Sequence, residues 1–75
     1  MMNKQLTTAE IEFIIARVLQ NAEDAIEESK DNSTDFMDGK KFAYYEVLDT
    51  IKNELSVRDV DTSQLGIDEI LGNLI

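Results

Sequence analysis

A chain of 75 residues and 8.5 kDa with neither Cys nor His excludes a disulfide framework, a thiolate zinc site and histidine acid–base chemistry. Its 16 acidic residues outnumber 7 basic ones for a net charge of −9, with acids in excess in every third of the sequence, so direct binding to nucleic acid or to an anionic membrane is not expected. So short a chain buries barely enough apolar area to offset its ordering entropy, which predicts one domain over 1–75 and help from oligomerisation.

The longest apolar runs, Phe13-Ile14-Ile15-Ala16 and Phe42-Ala43-Tyr44-Tyr45, are far too short to span a membrane. The cytoplasm is the expected location. With no proline and only three glycines, little interrupts a helix, and the predicted fold class is all-α.

Helix 1 is predicted over about 8–30. Thr7 and Glu10 have the spacing of a capping box, and Leu6 and Ile11 that of a hydrophobic staple. At about 100° per residue, Ile11, Ile14, Ile15, Val18, Leu19, Ala22, Ala25 and Ile26 share an arc of about 140° that should face the core. Glu23, Asp24, Glu27, Glu28 and Asp31 fall on the other side. Asp31 to Asp35 is a run of short polar side chains that favours a turn followed by a cap.

Helix 2 is predicted over about 35–56, with Phe36, Ala43, Tyr44, Val47, Leu48, Ile51 and Leu55 on one face. A short link makes the two helices an antiparallel hairpin. Gly39 in the second turn has two explanations: close approach of helix 1, or a helix that starts one turn later. Arg58 to Gln64 reads as a linker before a short C-terminal helix over about 66–73, where Ile67, Ile70, Leu71 and Leu74 recur at helical spacing. Leu74 and Ile75 are expected to be covered, either by the hairpin or by another subunit. Two such hairpins could pair into a four-helix bundle, so a homodimer is predicted.

The stretch from Phe36 to Asn53, FMDGKKFAYYEVLDTIKN, resembles the second helix of small, uncharacterised helical-hairpin proteins of Gram-positive bacteria and their mobile elements. The resemblance implies a bacterial or phage cytoplasmic accessory protein built on a helical hairpin. It brings no catalytic or ligand motif.

Tests for chemistry fail one after another. A calcium loop starting at Asp31 would put Phe36 at the turn glycine and Phe42 at the bidentate Glu; one starting at Asp59 would put Gln64 and Ile70 there. The pairs Glu23/Glu27 and Asp24/Glu28 have one-turn spacing but no third ligand, and read as a solvated acidic face. Ser29, Ser33, Ser56 and Ser63 have no histidine base, and no glycine-rich phosphate loop is present. No enzyme activity, catalytic residue, metal or cofactor is expected.

What remains are aromatics that miss the core arcs: Phe13 on helix 1, and Phe42 and Tyr45 on helix 2. They are candidate partner-binding residues, to be covered by helix 3, a second copy or another protein. Glu23, Glu27 and Asp31 are the candidates for a basic partner. The function this suggests is a non-enzymatic, acidic protein–protein interaction or assembly module. The alternative is an acidic inhibitor, a nucleic-acid mimic that blocks a basic cleft on another protein.

Overall fold

Helix punctuation in this chain is local and explicit. In the computed structural model, which describes residues 4–75, α1 spans Thr8–Asp31 and starts at the capping box. The Glu10 amide donates to Thr7 Oγ1 at 3.2 Å, and the Thr7 amide donates to Glu10 Oε1 at 3.1 Å, satisfying two amides that the first turn leaves free. Leu6 stays exposed, so the staple covers little of it. A link over 32–34 ends at Thr34, whose hydroxyl accepts from the Met37 amide at 3.2 Å and starts α2, Asp35–Val57.

The end of α2 is a Schellman turn: the Val60 amide donates to the Leu55 carbonyl at 2.9 Å and the Asp59 amide to that of Ser56 at 3.0 Å. Asp59 takes the left-handed position, φ 61°, where glycine is commonest. A single 3-10 turn, Ser63–Leu65, then leads through Gly66, also left-handed at φ 76°, into α3, Ile67–Leu74. Each helix therefore lies within a residue or two of its predicted bounds.

The two long helices form the hairpin, and α3 lies against one side of it. Its Ile67, Ile70, Leu71 and Leu74 are all buried, against Ile15, Leu19 and Ala22 of α1 and Leu48 of α2. Tyr44, Tyr45, Ile51 and Leu55 pack around that cluster. Among the described residues no polar side chain is buried. Lys52 of α2 reaches Asp68 of α3 at 2.5 Å and pins the start of the short helix. Among the described residues, no helix is long and apolar enough to cross a membrane.

Three expectations need correction. Ile11 and Ile14 of α1, and Phe36, Ala43 and Val47 of α2, share the predicted core arcs yet are exposed. The cause is geometric: α3 has eight residues, about two turns; it covers one side of the hairpin only and leaves Ile11 bordering an open groove with Leu55, Val60 and Leu65 beside the linker. Met37, absent from the predicted face, is buried near the link, as is Ala25. Neither explanation of Gly39 holds, since α2 starts at Asp35 and a Cβ built on Gly39 meets nothing within 4 Å. The hairpin covers Leu74, as one of the two expected covers has it, while Ile75 is exposed on the single chain.

Candidate functional site

Three surfaces hold the residues able to meet a partner. The first is a groove between α1 and α3. Glu23 and Glu27 line it from α1 and Glu69 from α3, with Ile26, Leu65 and Ile70 at its floor. Lys30 is also at this groove, where its ammonium donates to Glu27 Oε1 at 3.0 Å. Asp31, expected to act with Glu23 and Glu27, ends α1 and is not among the groove's lining residues. Glu69 was missed by sequence reasoning because its partners are on another helix, and no spacing within α3 signals that.

The second surface is aromatic. Phe42 and Tyr45, three residues apart on α2, stack with ring centroids 6.3 Å apart and planes at 18°. Tyr45 packs against the core, whereas Phe42 remains 55% exposed. Phe13 is 67% exposed and stands apart from this pair: its position is about 160° around α1 from the buried Ile15. The three aromatics therefore do not form one patch.

The third surface is the flank of the hairpin turned away from α3. Lys40 of α2 approaches Glu28 of α1 at 3.6 Å across the seam between the helices. Eighteen residues make about five full turns, so Glu10 lies on the same line of α1 as Glu28, and Arg58 on the same line of α2 as Lys40. Ile14 follows Glu10 by one turn, and Val47 follows Lys40 by two. These two side chains are 52% and 48% exposed.

Three ionisable groups are shifted by structural pairing. The Glu10 carboxyl is held below its ordinary range, first by Lys4, at 2.5 Å, and then by the Thr7 backbone and hydroxyl. Asp61 is lowered by the Ser63 side chain and amide, the latter donating at 3.0 Å. Lys52 is raised by its hydrogen bond to Asp68 and by that group's charge. None of the three adjoins a second catalytic group, and among the described residues no three His, Cys, Asp or Glu side chains are grouped to hold a metal ion.

Comparison with protein-family models, curated proteins and solved structures finds no match to this chain.

Proposed function

We propose that this chain is a non-enzymatic protein–protein interaction module, a helical hairpin that pairs with a second copy into a four-helix bundle. The observation that carries this reading is surface left uncovered. The chain exposes 5734 Å², where a compact monomer of its mass would expose about 4,700 Å². Its radius of gyration of 14.2 Å likewise exceeds the value of about 11.4 Å for a compact chain of this length. Half-exposed Ile14 and Val47 lie at positions whose periodicity belongs to a core. Sedimentation equilibrium at tens of micromolar should return twice the 8.5 kDa chain mass. The monomer mass alone would refute self-association.

The groove between α1 and α3 supports a second reading, an acidic inhibitor that lodges in a basic cleft. Glu23, Glu27 and Glu69 converge there from two helices. In that case charge reversal at Glu23 and Glu27, or moderate salt, would abolish capture of the basic partner, while Phe42→Ala would leave it intact.

A further inference from the structure

The net charge of −9 ought to keep two copies of this chain apart, so any face on which they meet has to escape that repulsion. The flank turned away from α3 does. It holds three of the ion pairs, Lys4–Glu10, Lys40–Glu28 and Arg58–Glu54. It also carries Arg17, which follows Glu10 by two turns, and Asp24, which precedes Glu28 by one. Basic and acidic side chains are therefore equal in number on this flank. The remaining three lysines stand among twelve acids elsewhere, and the whole of the −9 lies on the other surfaces.

On α2 this flank is apolar along its middle, and α1 adds Ile14, with the exposed Asn21 two turns beyond it. Ile14, Ala43 and Val47 are exposed, with Phe36 at the link end. Val18 and Ile51 lie half-buried in the seam beneath them. The acidic groove and the Phe42–Tyr45 stack lack this combination of charge balance and an apolar centre.

We propose that the second copy docks on this flank, hairpin against hairpin, with Ile14 and Val47 at the centre and each α3 on the outside. The assignment rests on the self-association proposed above. It leaves the aromatic stack and the acidic groove of each copy facing outward, free for a further partner.

The test is sedimentation equilibrium of Ile14→Glu and Val47→Glu beside Ala16→Glu, in the groove between α1 and α3, and Phe42→Glu, which add the same charge on other flanks, with circular dichroism to verify helix content. Each of the first two should raise the dimer dissociation constant at least about thirtyfold, as loss of a central anchor does. The other two should change it by less than about threefold, as non-contacting sites do. Should a Glu variant lose helicity, Ile14→Ala and Val47→Ala, which favour helix, take its place, with an expected weakening of about tenfold. Folded variants at Ile14 and Val47 that dimerise like the parent chain overturn the assignment of this face, whereas a parent chain that is monomeric throughout overturns self-association itself.

Discussion

Single residues fix where this chain turns, and two of them make opposite predictions about glycine. A Cβ at Gly39 meets open space in the second turn of α2, so Gly39→Ala should stabilise by about 1 kcal/mol through lost unfolded-state freedom. At Gly66 the backbone is left-handed, φ 76°, and the same change should cost about 1 to 2 kcal/mol. Thermal melts of both variants check the pair, and equal signs would refute this account. Glu10 makes a prediction about pH. Its folded pKa lies below the ordinary 4.5, chiefly because of Lys4, so its charge contributes stability above 4.5 that disappears as pH falls through the lower folded value. Glu10→Gln keeps a capping-box side chain without the charge. The gap in melting temperature between parent and variant should be open at neutrality and close under acid; a gap that widens there would contradict the sign. Both capping residues were legible in the sequence, because a capping box is defined by spacing alone. Met37 lies two turns before Tyr44 on the same face, so its burial follows from the periodicity that places Tyr44 at the core.

At the scale of elements, α3 holds the hairpin's one covered side. Ile67 is fully buried between α1 and α2, so Ile67→Ala should cost about 2 to 5 kcal/mol, a large share of the stability of a small domain. Helicity of the whole chain, rather than of eight residues, should therefore fall when the variant is followed by circular dichroism. An unchanged melt would make α3 peripheral. The Lys52–Asp68 contact contributes at neutral pH, since a raised lysine pKa stabilises until pH climbs through the folded value. The existence, order and approximate ends of the three helices were legible because apolar periodicity, caps and breakers agree at each one. The 3-10 turn and the left-handed Asp59 were not. Their conformations follow from how the linker must return α3 to the hairpin, a requirement no local pattern states.

Over the whole molecule, periodicity reports which residues share an arc but not how much of that arc a third helix can reach. A two-turn α3 covers Ile15, Leu19 and Leu48 and leaves Ile14 and Val47 outside, so the pattern that reads as one core becomes a core and a bare flank. The candidate site was legible only in part: Phe42 and Tyr45 do come together, Phe13 does not join them, and the flank opposite α3 emerges only once α3 is placed. The segregation of charge on this molecule also acts on two copies before they touch. Surfaces that carry the −9 repel over roughly a Debye length, about 10 Å at 0.1 M ionic strength, while the balanced flank does not. On the pairing proposed above, encounters are filtered by orientation, and the copies that reach contact are those already turned back to back. Added salt should raise the association rate of the pair by relaxing the filter and leave the dissociation rate, set by apolar contact, nearly constant. Stopped-flow mixing across a salt series would reveal a rate constant that falls with salt if the meeting faces were instead of opposite charge.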